Sequence, residues 1–204
     1  MELGYYKMGR LCYNREMVEK FRENVLNDVV PVVSRVRKAR AEKLGISDMK
    51  LYDYGVCFAC GDPEPVLDAN GMFNAGREMY REMSKETGEF IDMMLENEAF
   101  DVLSREGKWG GGYCTEFPKY KQPFILANFN GSSGDVDVLT HEAGHAFASY
   151  LAFKNNLDPE CPLGMETAET HSMSMEFFCW KFIDKFFAGR ANDYNCLLYT
   201  SPSP

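Results

Sequence analysis

The sequence predicts a mainly helical chain with a small β-sheet, an α+β fold, on three observations. Apolar residues recur at the helical period through residues 135–153 and 163–187. Two short aromatic-rich runs, 111–117 and 124–129, have the length and flanking turn residues of strands. The 204 residues are 45% hydrophobic and 14% aromatic, so the chain can bury a sizeable core as one domain or a large part of one.

Taken in order, residues 14–44 read as one long helix, broken or bent near Pro31, whose ring removes a backbone donor and crowds the preceding turn. Near its end, Arg35, Arg37, Lys38, Arg40 and Lys43 are expected to form a solvated basic face. Residues 50–54 read as a short strand. Two helices are expected within 70–105, punctuated by Gly71 and by Ser84, the latter as an N-cap. The two strands that follow, joined through 118–123, predict a hairpin or a neighbouring pair. Gly110, Gly111 and Gly112 lack the Gly-Lys-Ser/Thr signature and following helix of a phosphate loop, which leaves close backbone approach as their reading. Past Gly131, the residues Ser132, Ser133 and Asp135 are N-cap candidates for a helix over about 135–153, with Val138, Leu139, Ala143, Ala146, Phe147, Tyr150 and Leu151 in helical register. A last helix over about 163–187 presents Met165, Ala168, Ser172, Met175, Cys179, Phe182, Ile183 and Phe186 on one face. No internal repeat or low-complexity tract interrupts this order.

Composition excludes several function classes. The net charge of −9 disfavours nucleic acid and anionic membrane as partners, since both reward clustered Lys and Arg. No run approaches the eighteen or so apolar residues of a membrane span, and residues 1–13 lack the apolar block of a signal peptide, so a cytoplasmic location is expected. The pair Cys57-Phe58-Ala59-Cys60 has neither a second pair at knuckle spacing nor a surrounding βαβ pattern, and free thiols in a reducing compartment are the reading.

The chemistry is carried by His141-Glu142-Ala143-Gly144-His145. On a helix, residues four apart share a face, so His141 and His145 can offer two imidazole nitrogens to one zinc ion. Glu142, beside the first histidine, is the candidate general base for a water in the open coordination position. A pattern with three fixed positions arises by chance in roughly one chain in 150 of this length, so its helical context matters. A third ligand is needed, and Glu169 and Glu166 compete for it. Glu169 lines up with Ser172 and Glu176 along the core-facing side of its helix, whereas Glu166 sits nearer the helix start, where the dipole alone favours an acid.

These residues resemble the oligoendopeptidase F and thimet oligopeptidase family of zinc metallopeptidases. The likeness rests on His141-Glu142-Ala143-Gly144-His145 and on Glu169-Thr170-His171-Ser172, a Glu-x-x-Ser element. It extends to Arg105-Glu106-Gly107-Lys108-Trp109-Gly110-Gly111-Gly112-Tyr113-Cys114 and Pro123-Phe124-Ile125-Leu126-Ala127-Asn128-Phe129, and runs from about residue 3 to about residue 195. The resemblance implies a zincin-like, thimet oligopeptidase/neurolysin-like catalytic region, incomplete here, with one zinc ion and Glu169 as its third ligand. It implies an endopeptidase that hydrolyses internal bonds of oligopeptides, bound along a sheet edge at Gly111, Gly112 and Tyr113. Cys114 falls at that edge, as a reactive thiol or a small buried apolar residue. Asp137 and Glu176 are candidates to orient the ligand imidazoles, Asp137 being read equally as a helix-start acid favoured by the dipole, and His171 is either structural or a substrate contact.

Residues 196–204 resemble the translation of a sequencing adapter and are set apart from the peptidase portion, 1–195. The family's downstream histidine and tyrosines, which stabilise the oxyanion, have no counterpart to be located here. The expectation is a fragment of low activity. Two other readings stand beside the endopeptidase. A different zinc hydrolase, such as an aminopeptidase, requires a site for a free amine, and a non-catalytic helical module with a structural metal requires a fourth protein ligand.

Overall fold

The computed structural model describes residues 13–157 and 164–200, with side chains as far as residue 197. The chain divides into two compact units, Met1–Asp62 and Pro63–Pro204.

In the first unit, α1 (Arg15–Asn24) starts at Asn14, whose side chain accepts the Met17 N–H at 3.0 Å. The expected disturbance at Pro31 is a π-turn over Val25–Val29, closed by the Val30 N–H on the Val25 carbonyl, and α2 (Val30–Leu44) resumes with proline in its first turn. A wider turn there relieves the clash that the proline ring would impose on a regular helix. Gly45, at φ 71°, ends α2 in the left-handed conformation that favours glycine. The basic cluster is solvated as expected, with Arg40 alone half-buried. Arg37 stacks 4.4 Å over the Tyr54 ring, and Arg40 donates to the Cys57 sulfur at 2.9 Å. Residues 50–54 do not form the expected strand. Leu51–Asp53 is a 3-10 turn, because the Asp53 carboxylate accepts the Lys50 N–H at 2.8 Å while the Asp53 N–H returns to the Lys50 carbonyl at 3.0 Å.

The second unit holds the core. Helix α3 (Ala69–Met83) is capped by Asp68 and α4 (Lys85–Glu96) by Ser84, as a residue of that type at that boundary predicts. The expected helical content of 70–105 stops at Glu96, since Phe100–Leu103 is strand β1, parallel to β3 (Gln122–Phe129). Four residues are too few to show a period of two, and only pairing with β3 identifies them. Strand β2 (Tyr113–Phe117) pairs antiparallel with β3 through a turn at Pro118–Tyr120 and Lys121. The order β1-β3-β2 leaves β2 at an edge. The loop between β1 and β2 is tied down by Lys108, whose ammonium is almost wholly buried and donates to the Asp101 carboxylate, the Asp101 carbonyl and the Leu103 carbonyl at 2.9 Å each.

Helix α5 (Gly134–Lys154) crosses the sheet and is the centre of this unit, with Val136, Leu139, Ala143 and Ala146 in the core beside Ile125, Ala127, Phe90 and Met94. Ser133 stands at its N-cap without a side-chain bond. The buried Asp135 instead reaches back to accept the Asn130 and Gly131 N–H groups, fixing the loop from β3. Helix α6 (Met165–Cys179) is shorter than the 163–187 expected, and Leu163 lies outside the described residues. Beyond Cys179 the chain tightens into a 3-10 turn (Trp180–Phe182), α7 (Asp184–Phe187) and a left-handed Ala188, then α8 (Ala191–Thr200). The adapter-like segment thus enters α8, and its residues 201–204 lie outside the described residues. No described helix is long and apolar enough to cross a membrane.

The contact of α5 with α6 is made at Gly144. A β-carbon there would lie 2.6 Å from the Ser172 Cα, 2.9 Å from the Met175 Cβ and 3.1 Å from the His171 carbonyl oxygen, so the glycine permits backbone against backbone. Gly144→Ala is expected to lower stability by about 2 kcal/mol through overpacking, despite alanine's better helix propensity. Thermal unfolding followed by circular dichroism checks this, and an unchanged or raised midpoint would contradict it.

Candidate metal centre

Three side chains from two helices converge at one point. His141 and His145 stand one turn apart on α5, their rings 5.1 Å apart. Glu169, on α6, sends Oε2 to within 3.3 Å of His141 Nε2 and 3.7 Å of His145 Nε2. All three donor atoms lie within 4.8 Å of one another, a spacing that a single metal ion can bridge. Glu166, the competing acid, is in the first turn of α6 and outside this group.

The surroundings fix the donors. Glu176 Oε1 meets His141 Nδ1 at 2.5 Å, which directs Nε2 toward Glu169. The buried Ser172 hydroxyl donates to Glu169 Oε2 at 3.1 Å and to its carbonyl at 3.0 Å. Tyr80, buried, donates from its hydroxyl to the Leu139 carbonyl at 2.8 Å, just ahead of His141. Asp137 has a different partner from the one expected, since its carboxylate accepts the hydroxyl of the buried Tyr194. Nothing in the spacing of α5 alone signals that bond, because Tyr194 comes from α8.

These contacts set the protonation states. The Glu176 bond raises the pKa of His141, while burial lowers that of His145. Burial pushes Asp137 up to about 6, outweighing the Tyr194 bond. Burial also pushes the Cys114 thiol up to about 12, helped by the negative charges of Glu142 and Glu116.

A cleft of about 630 Å³ opens over the three donors. One wall is β2 with Gly112 and Tyr113. The floor is the stripe of α5 that continues from His141, Glu142 and His145 through Ala148, Ser149, Ala152 and Phe153. That continuation was legible in the helical spacing but not drawn from it. Gly111 does not line the cleft, because its carbonyl, like that of Trp109, is held by Asn128 Nδ2 at 2.9 Å. His171 does line it, with a buried Nδ1 that has no hydrogen-bond partner among the described residues. A larger apolar groove bounded by Phe147, Phe177 and Phe178 adjoins it, sharing Ala148, Ala152, Leu157 and His171 but containing none of the donor trio.

The peptidase family M3 model matches residues 78–195, more than half of the chain and the part that builds this site. The chain belongs to peptidase family M3. It is 24% identical over 190 residues to oligopeptidase PepF of Bacillus subtilis, covering 87% of this chain and 27% of that one. Among solved structures, a Bacillus anthracis protein described as an oligoendopeptidase F is 46% identical with a TM-score of 0.91, over 98% of this chain and 37% of the other. PZ peptidase A, solved with an inhibitor, is 45% identical with a TM-score of 0.91, over 98% of this chain and 35% of the other. This M3 chain spans about a quarter of the length of the curated relatives it matches.

For the metal-free protein, the His141 contribution to stability is fully present below its ordinary value of 6.5 and is lost as pH rises through its raised value. His145 acts oppositely, its contribution being lost as pH falls from 6.5 through its lowered value. In an NMR titration of the imidazoles, His141 is expected to titrate above His145, and Glu176→Gln to bring His141 down. Coincident titration of the two rings would contradict this.

Proposed function

We propose that this chain carries the metal-binding and proton-transfer centre of a zinc-dependent oligopeptidase that hydrolyses internal bonds of short peptides. The observation that carries the reading is the convergence of His141 Nε2, His145 Nε2 and the Glu169 carboxylate, with Glu142 beside them, at the foot of an open strand edge. Two neutral imidazoles and one carboxylate suit a single zinc ion and leave the site positively charged. Bound there, zinc supplies Lewis acidity, which lowers the pKa of water and polarises a peptide carbonyl.

The chain's own residues do the rest. Glu176 holds His141 through Nδ1 so that Nε2 stays a donor, and Ser172 holds Glu169. The Glu142 carboxylate takes a proton from the attacking water as the new carbon–oxygen bond forms at the carbonyl carbon. It then returns that proton to the amine nitrogen as the carbon–nitrogen bond breaks. An extended peptide can add to the free edge of β2, where Gly112 and Tyr113 present backbone groups beside the cleft. From His141 to Phe153 the helix advances about 18 Å, room for roughly five extended residues. A cytoplasmic setting belongs to the same reading, and the described cysteines are free thiols.

Zinc titration against a chromophoric chelator tests the ligand set. One zinc per chain is expected for the wild type, with a large loss of affinity in Glu169→Gln. Unchanged affinity would move the third ligand elsewhere. Glu142→Gln separates holding from chemistry, since it should keep the zinc and lose about a hundredfold to ten-thousandfold in turnover of a quenched fluorescent peptide. Near-normal cleavage by that variant would refute the assignment of the base.

A further inference from the structure

Of the three acids that line the cleft, Glu142 and Glu169 belong to the chemistry above and Glu116 does not. No lysine or arginine lines the cleft among the described residues, so histidines are its only basic side chains there. Glu116 is exposed and makes no ion pair among the described residues. The nearest cations in sequence are turned elsewhere. Lys121 donates to Asn156 at 2.9 Å, and Lys119 lies over the Tyr120 ring.

The register places this carboxylate relative to the metal centre. Cys114 pairs with Ile125 and Glu116 with Pro123, so both stand on the face of β2 that looks toward α5. Strand and helix run in the same direction. At the strand's start, a β-carbon on Gly112 would lie 3.6 Å from Val138, and beyond its end Lys121 reaches Asn156. Cys114 is level with Glu142, whose charge its thiol feels. Two residues further, about 7 Å along the strand, Glu116 lines the same cleft as Ala148, Ala152 and Phe153, which follow the histidines on α5. Ala148, Ala152 and Phe153 in the same cleft as a carboxylate with no ion pair among the described residues fit a side chain with a long aliphatic stem and a cationic head.

We propose that Glu116 is a specificity-determining residue, forming with Ala148, Ala152 and Phe153 a subsite for a lysine or arginine side chain of the peptide, two residues from the position beside Cys114. The subsite rests on the peptidase reading and adds a substrate class to it, peptides with a basic residue at one fixed distance from the scissile bond. An exposed carboxylate selects modestly, and the selection is screened by salt.

The test is a series of quenched fluorescent octapeptides with lysine, norleucine or glutamate at each position around the cleaved bond, given to the zinc-loaded protein. Lysine is expected to exceed norleucine in kcat/KM about twofold to fivefold at one position, with the advantage shrinking as salt is raised. Glu116→Gln should bring the two to parity, and Glu116→Lys should favour glutamate at the same position. Anisotropy of labelled lysine and norleucine peptides on a Glu142→Gln background reads the same preference as affinity, without turnover. Cleavage with parity at every position in the wild type, or a lysine preference that survives Glu116→Lys, overturns the subsite alone. Failure both to cleave and to bind any peptide of the series, with zinc bound, overturns the peptidase reading and the subsite with it.

Discussion

Where α5 and α6 touch at Gly144 and Ser172, no side chain fits between the two backbones, and the convergence of His141, His145 and Glu169 depends on that contact. His141 and His145 flank Gly144 on α5, and Glu169 precedes Ser172 by one turn on α6. Closing the helices on each other therefore brings the carboxylate to the imidazoles without a long side chain having to search for them. Ser172 serves twice, giving up bulk at the crossing and using its hydroxyl to hold Glu169 Oε2. Met175 and Cys179 extend the same seam into the core, so the site's geometry is set by burial as well as by its polar contacts.

Around this seam the charges are uneven in a way that suits a cation. Glu169 and Glu176 approach His141 from its two nitrogens, and Glu142 is its neighbour in sequence. The two rings respond differently because only one of them has a carboxylate on Nδ1. Tyr194 occupies Asp137 and keeps it from the imidazoles, and burial favours the protonated form of that acid. The acid that stands directly before the motif in helical register is thus used to anchor α8, while the acid that orients His141 arrives from another helix.

The convergence of His141, His145 and Glu169 was legible in sequence because each residue is placed by local spacing: two histidines four apart, and an acid three residues before a serine on a second amphipathic helix. Caps such as Ser84 were legible for the same reason. What was not legible depended on partners distant in the chain. Strand β1 is defined by its register with Phe129 and Ile125, and the turn at Leu51–Asp53 by an aspartate bonding its own backbone in place of a sheet neighbour. Lys108, read only as part of a motif, proves to be a buried clamp on Asp101. The role of Gly144 was hidden too, since a glycine inside a helical pattern reads as a weakness until the opposing backbone is known.

An unpaired strand edge suited to adding a peptide offers the same row of donors and acceptors to another copy of itself. β2 is five residues long and is followed by a proline, so few backbone groups are available for such stacking. Its exposed aromatic residues, Tyr113 and Phe117, would favour it, and the carboxylate of Glu116 between them opposes it, because two copies in register would bring like charges together. If Glu116 selects substrate as proposed above, the same side chain also opposes self-pairing of this edge.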